Sequence, residues 1–153
     1  MINTYQVNSV SKNNFLSLMR TYERNYKIIS KLINFNIINK ANINSKFESK
    51  SEITKQKLML TITSVSNHTA LIKFSYNFFS KNVYINYVEL KIYFDSKQLE
   101  IIDSNRLTKK FYNDDIQKFH NLRLSKWYKS YFLSIWLDNC LKNGYSFDAQ
   151  SAV

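Results

Sequence analysis

Apolar residues recur at steps of three and four near both ends of this chain, and at every second position through its middle. Steps of three and four place side chains on one face of an α-helix, whereas alternation is typical of a β-strand with one buried face. The pattern therefore predicts a helix, then a set of strands, then a second helix.

The first helical pattern extends from Phe15 to Ile33, and Ser11 or Asn13 can cap its start. Its apolar positions are Phe15, Leu18, Met19, Tyr22, Tyr26, Ile29 and Ile33. The opposite stripe is basic and is interpreted as a solvated face. It consists of Arg20, Arg24, Lys27 and Lys31.

The second helical pattern runs from about Leu122 to Asn143 and includes the only cysteine, Cys140. The only glycine of the chain, Gly144, follows it directly. Glycine is the residue that most often ends a helix in the left-handed conformation. We expect Trp136, Leu137 and Cys140 to be buried on the inner side of this helix.

Four alternating segments lie between the helices, at residues 58–62, 70–76, 88–94 and 98–102. The connections between them are short and polar. Short connections join antiparallel neighbours, because a parallel pair needs a crossover of about a dozen residues or more. The predicted fold is α+β: an N-terminal helix, a four-stranded antiparallel meander and a C-terminal helix, with both helices on one face of the sheet.

The rest of the chain shows no repeat and no domain boundary, and 153 residues suit a single domain. We expect residues 34–54 to form a long polar connection, and 1–13 and 145–153 to be flexible tails. No apolar run approaches the roughly 20 residues that span a bilayer. The polar N-terminus lacks a signal-peptide core, and one cysteine fits a reducing compartment. These features predict a cytoplasmic protein without a membrane partner.

The net charge is +11, from 22 basic and 11 acidic residues. Such an excess is the electrostatic signature of many nucleic-acid-binding proteins. However, Asn and Ile are also abundant, while there is one Gly and no Pro. Lys, Asn and Ile have A/T-rich codons and Gly and Pro have G/C-rich codons, so a coding bias explains both features together. We therefore expect dispersed basic residues, with nucleic acid as a partner that is not favoured.

Three segments resemble the YqiB family of short cytoplasmic proteobacterial proteins of unknown function. Its opening helix is similar to Leu18–Ile33, including the pair Asn25-Tyr26. A strand that ends in a Tyr-His-Asp turn is similar to Leu90–Asp95. The most specific match is the closing pattern Phe132-Leu133, Trp136-Leu137, Cys140-Leu141 and Gly144.

The resemblance implies a polar site that this chain keeps only in part. Phe94 stands where the family has the histidine of its Tyr-His-Asp turn, and the acidic pair that the family has before the last helix is absent. The matching polar residues that remain are the candidate binding site: Tyr93, Asp95, Asn113, His120 and Lys126. We expect the Tyr93–Asp95 turn and the loop 113–126 to lie at the same end of the sheet.

Other chemistry has weaker support. Asp95 is also a typical turn residue, and Cys140 suits a small core position better than a reactive thiol. Two widely spaced histidines, His68 and His120, make a poor zinc site, so no metal and no cofactor are expected. One glycine excludes glycine-rich phosphate loops.

The sequence favours a non-enzymatic binding or adaptor module with an unidentified protein or small molecule as its ligand. Two alternatives remain open. One is a basic RNA-associating protein, because Trp127, Tyr128 and Tyr131 lie among basic residues. The other is a small hydrolase or transferase that uses Asp95 and His120 as an acid–base pair.

Overall fold

The computed structural model describes residues 4–40, 42–76, 87–104 and 122–153, and the side chains of 15–39, 42–75, 87–104 and 126–153. The helices are α1 (Thr4–Leu32), α2 (Asn36–Lys40) and α3 (Leu122–Lys142), and a short 3-10 helix follows at Ala149–Ser151. The strands are β1 (Ser45–Lys50), β2 (Lys57–Val65), β3 (Thr69–Tyr76), β4 (Tyr87–Tyr93) and β5 (Gln98–Ser104).

The strands form one antiparallel sheet in the order β1-β2-β3-β4-β5, so each strand pairs with its neighbours in sequence. The register aligns the alternating apolar residues across the sheet: Phe47, Leu60, Phe74 and Val88 form one such row, and all four are buried. Residues of α1 and α3 join the same core. The predicted α+β fold, with both helices on one face, is confirmed.

The sheet has five strands rather than four, because β1 lies in the segment expected to be a polar connection. Phe47 is the only apolar residue of β1, and it is flanked by Lys46 and Glu48. A single apolar residue shows no alternation, so the period-two signal was missing. α2 also lies within residues 34–54, and its Ile37 and Ile38 are buried.

The first helix begins at Thr4, earlier than the expected start near Phe15. Residues 4–14 contain no proline or glycine that would stop a helix. They also lack the apolar stripe from which the boundary was predicted. Part of the expected tail 1–13 is therefore helical.

The chain's end is packed against the rest, which corrects the expectation of a flexible tail at 145–153. Tyr145 and Phe147 are buried, and the amide of Phe147 donates to the carbonyl of Leu32 at 2.9 Å. Further along, the amide of Val153 donates to the carbonyl of Lys46 at 3.0 Å. This contact covers part of the outer edge of β1, and an uncovered edge is a template for pairing with another chain.

The end of α3 has the cap that its glycine predicted. Gly144 has a φ of 82°, and the amide of Tyr145 donates to the carbonyl of Cys140 at 3.1 Å. That bond is the one expected of a Schellman cap. The cap turns the chain so that Tyr145 and Phe147 enter the core.

The two long helices run in the same direction. Ser17 of α1 accepts a hydrogen bond from Nε1 of Trp127 near the start of α3, and Arg24 bonds Asp138 near its end. Next to Arg24, Nδ2 of the buried Asn25 donates to the carbonyl of Ser130 at 3.0 Å, and the hydroxyl of Ser134 donates to Oδ1 of Asn25. Asn25, Ser130 and Ser134 thus form a buried polar network that joins α1 to α3.

The packing of Phe147 generates the first prediction. Replacing Phe147 by Ala removes a buried ring whose centroid lies 5.7 Å from that of Phe74. We expect the free energy of unfolding to fall by about 3–5 kcal/mol, as for other buried aromatic residues. Urea denaturation measures this loss. The control is Phe15→Ala at an exposed position, and an equal, small effect of both changes would show that the end of the chain is not part of the core.

The polar network generates the second prediction. Asn25→Ala leaves the buried groups of Ser130 and Ser134 with fewer partners, so we expect a loss of about 1–3 kcal/mol in the free energy of unfolding. Combining it with Ser134→Ala should cost less than the sum of the two single changes, because the residues share one network. Asn139→Ala, at an exposed position of α3, is the matched control. Strict additivity of the two changes would contradict a shared network.

Candidate functional site

The predicted site residues fall in three places. Tyr93 ends β4, and Asp95 lies in the turn between β4 and β5. Lys126 is exposed in the first part of α3. Asn113 and His120 lie outside the described residues, so the proximity of Asp95 and His120 stays a prediction.

Asp95 has a histidine partner within the described part of the chain. Nδ1 of His68 lies 2.9 Å from Oδ2 of Asp95, and the amide of Phe94 donates to the carbonyl of His68 at 2.9 Å. The register explains this contact, because β3 and β4 pair Thr69 with Tyr93 and so bring the turns before β3 and after β4 together. The sequence assigns His68 no role beyond a poor zinc site, and only the strand pairing could have predicted its contact with Asp95.

The His68–Asp95 pair is open to solvent, with side chains 69% and 72% exposed. A carboxylate that orients an imidazole can assist proton transfer. However, an exposed pair is screened by water and salt and adds little energy. The described side chains contain no group of three or more His, Cys, Asp or Glu that could hold a metal ion.

Lys126 lies away from this pair along the helix layer. Its neighbour Trp127 is level with Ser17 of α1, whereas the ring of Phe94 packs on that of Phe35, beyond the end of α1. A helix rises about 1.5 Å per residue, which places Ser17 and Leu32 about 22 Å apart along α1. No ion pair among the described side chains joins Lys126 to Asp95, and the proximity of Lys126 to Tyr93 and Asp95 stays a prediction.

A second surface, which we call the helix face, is formed by the solvent-facing sides of α1 and α3. It consists of Arg20, Lys27 and Lys31 of α1 and Trp127, Tyr131 and Ile135 of α3. Tyr131 is 53% exposed and Ile135 is 48% exposed. The rings of Trp127 and Tyr131 are stacked, with centroids 5.4 Å apart and planes 3° from parallel.

Charge is distributed unevenly between the two sides of the molecule. The described charged side chains of α1 and α3 comprise seven basic and two acidic residues, a net charge of +5. Those of the five strands comprise five basic and four acidic residues, a net charge of +1. The described basic residues are spread over both layers, and the helix layer has the larger net positive charge mainly because it carries fewer acidic residues.

The basic side of α1 leads to an open cleft at the helix end. Its volume is about 460 Å³, and its lining includes Lys31, Asn34, Phe147 and Asp148. The amide of Asn34 donates to the carbonyl of Phe147, so backbone pairing joins the two chain segments that line the cleft. The cleft is a continuation of the helix face at Lys31.

Cys140 is buried in the core, as expected. Burial raises the pKa of its thiol from 9.0 to about 12. A thiol is a nucleophile only as its thiolate, so Cys140 is unsuited to covalent chemistry near neutral pH.

A family model described as "Protein of unknown function (DUF1249)" matches residues 35–146, which is more than half of the chain. The match spans the five strands and α3 and starts after α1. No curated protein and no solved structure matches the chain. None of the helices in the described residues is both long enough and apolar enough to cross a membrane.

Burial of Cys140 generates a prediction about pH. The thiol has a higher pKa in the folded protein, so its contribution to stability is complete below pH 9 and is lost as the pH rises from about 9 to 12. We expect alkylation of Cys140 by iodoacetamide at pH 8 to be slow in the folded protein and fast in urea. The pH dependence of stability between pH 9 and 12 should be shallower in Cys140→Ala. Rapid alkylation of the folded protein at pH 8 would show that the thiol is accessible.

Proposed function

We propose that this chain, which belongs to the DUF1249 family of proteins of unknown function, is a non-enzymatic binding or adaptor module whose partner docks on the helix face. The observation that carries the proposal is the exposed stack of Tyr131 on Trp127, beside the exposed Ile135. Exposed apolar groups that lie together on a soluble domain mark interaction sites more often than chance positions do.

The neighbouring contacts support a preformed surface. The indole of Trp127 is held by its bond to Ser17, and Asp138 is bonded to Arg24 at 3.1 Å. These bonds join the two helices on either side of Tyr131. A rigid aromatic surface loses little conformational entropy on binding, which favours recognition.

The His68–Asp95 pair favours binding over catalysis. Enzymes gain most from charges that are fixed in a site from which water is excluded. Both side chains of this pair are largely exposed. An acid–base reaction there would proceed in nearly bulk water, so the pair fits a polar contact at the sheet end better than a catalytic dyad.

The resemblance of Trp136-Leu137, Cys140-Leu141 and Gly144 to the YqiB family supports a narrower proposal. We assign the chain to that group of bacterial cytoplasmic proteins. Their polar turn has a histidine where this chain has Phe94. In this chain His68 supplies an imidazole to the same turn through Asp95.

The proposal is tested by site-specific photocrosslinking in the native host. A photoreactive amino acid is placed at Ile135 on the helix face and, as the matched control, at Met59 on the outer face of the sheet. We expect discrete adducts from position 135 that excess unlabelled protein displaces. Adducts of equal yield from both positions, or none from position 135, would contradict the proposal. Circular dichroism checks that both proteins are folded.

A further inference from the structure

We propose that the helix face binds single-stranded nucleic acid: bases stack on Tyr131 while phosphates contact the basic residues of α1. This inference rests on the proposed function and names the class of its partner. Its basis is the juxtaposition of an open aromatic stack with a basic helix stripe.

The aromatic stack ends in a ring that is open to solvent. Tyr131 packs on Trp127 in a parallel arrangement, and more than half of its side chain is exposed. A flat ring of this kind can be covered by a further ring, and base–aromatic stacking contributes about 1–3 kcal/mol per base. The free side of Tyr131 thus offers a platform for one base, continuous with the stack beneath it.

The basic residues of α1 lie along the part of the helix that is bonded to α3. Arg20 lies between Ser17, which bonds Trp127, and Arg24, which bonds Asp138. Tyr131 lies between Trp127 and Asp138 on α3, so Arg20 and Tyr131 both lie within the stretch over which the two helices are joined by these bonds. Lys27 and Lys31 extend the stripe along α1, over about 17 Å from Arg20 to Lys31.

Few acidic side chains pair with the basic residues of α1. Arg24 is paired with Asp138, whereas no ion pair joins Arg20, Lys27 or Lys31 to an acidic residue within the described side chains. The net charge of +5 on the described side chains of α1 and α3 is complementary to a polyanion. Phosphates of a bound nucleic acid supply the opposite charge to these three side chains, none of which is in an ion pair within the described residues.

The outer face of the sheet lacks these properties, although it also carries tyrosines. Nζ of Lys73 lies 4.8 Å from the ring centroid of Tyr87, and Nζ of Lys91 lies 5.1 Å from that of Tyr93. These lysines occupy the ring faces through cation–π contacts. A base could stack there only by displacing them, which makes the sheet face a suitable internal control.

The choice of single strands follows from the stacking. In a duplex both faces of each internal base are already covered by neighbouring bases. Single-stranded bases have free π-faces, and an aromatic platform recognises them with little sequence preference. We therefore expect duplex DNA to compete poorly with single strands of the same length.

The experiment measures fluorescence anisotropy of labelled 12-nucleotide single strands, as RNA and as DNA, during titration with the full chain. Tyr131→Ala should weaken binding by about 5–150-fold, the equivalent of one lost stacking contact, and Tyr131→Phe should restore it. In a salt titration, three phosphate contacts predict a log–log slope of about −2. Lys27→Gln should make that slope less negative by about 0.7, whereas Lys46→Gln on the sheet side should leave it unchanged.

The outcomes distinguish this inference from the proposed function. Equal binding by wild type and Tyr131→Ala would show that the interaction is nonspecific charge attraction, and it would overturn the inference. A protein adduct at Ile135 with no oligonucleotide binding would also overturn it but leave the helix face as a binding surface. Absence of oligonucleotide binding together with absence of adducts at position 135 would overturn both proposals.

Discussion

The buried hydrogen bonds of Asn25 determine how α1 packs on α3. Asn25 is fully buried between α1 and α3, and both ends of its amide are bonded to Ser130 and Ser134. A buried amide without partners costs about 1–3 kcal/mol. Any sliding of α1 along α3 would break these bonds, so the network fixes the relative position of the two helices.

The composition of the helix face depends on that position. With Asn25 beside Ser130 and Ser134, Ser17 meets Trp127 and Arg24 meets Asp138. A shift by one helical turn, about 5.4 Å, would separate both pairs. It would also change which residues of α1 lie level with Tyr131. The polar core thus determines which charged and aromatic side chains lie together on the surface.

The fold was predictable wherever buried apolar residues recur at the spacing of a strand or a helix. Leu60, Phe74 and Leu90 alternate with polar residues, and Leu133 and Leu137 recur at helical steps, so the strand and helix types followed directly. β1 was missed because Phe47 is its only apolar residue, and the packed end of the chain was missed because Tyr145 and Phe147 form too short a pattern to predict a buried segment. One or two buried residues do not establish a helical or strand periodicity, and their burial depends on elements distant in sequence.

The candidate site was predictable only in part, for a similar reason. Tyr93 and Asp95 were singled out because they are polar residues in a turn with a family resemblance, but the partner of Asp95 within the described residues, His68, is 27 positions earlier in the sequence. Sequence patterns mark residues one at a time, whereas a site is a set of contacts. Asn25 belongs to the pair Asn25-Tyr26 that resembles the family's opening helix. No sequence pattern, however, indicates that Asn25 joins two helices.

The location of the acidic residues decides how the high lysine content should be understood. A coding bias raises the number of lysines throughout a chain, but it does not determine which of them face an acidic residue. On the sheet, Lys73 is opposite Glu89, Lys91 is opposite Glu100, and Lys57 lies 3.8 Å from Glu48. On the described part of α1, Glu23 is the only acidic residue among Arg20, Arg24, Lys27 and Lys31. A coding bias predicts a high number of lysines, but it does not predict that acidic residues face them on the sheet and are scarce on the helix face, and this scarcity fits the polyanionic partner that we propose for that face.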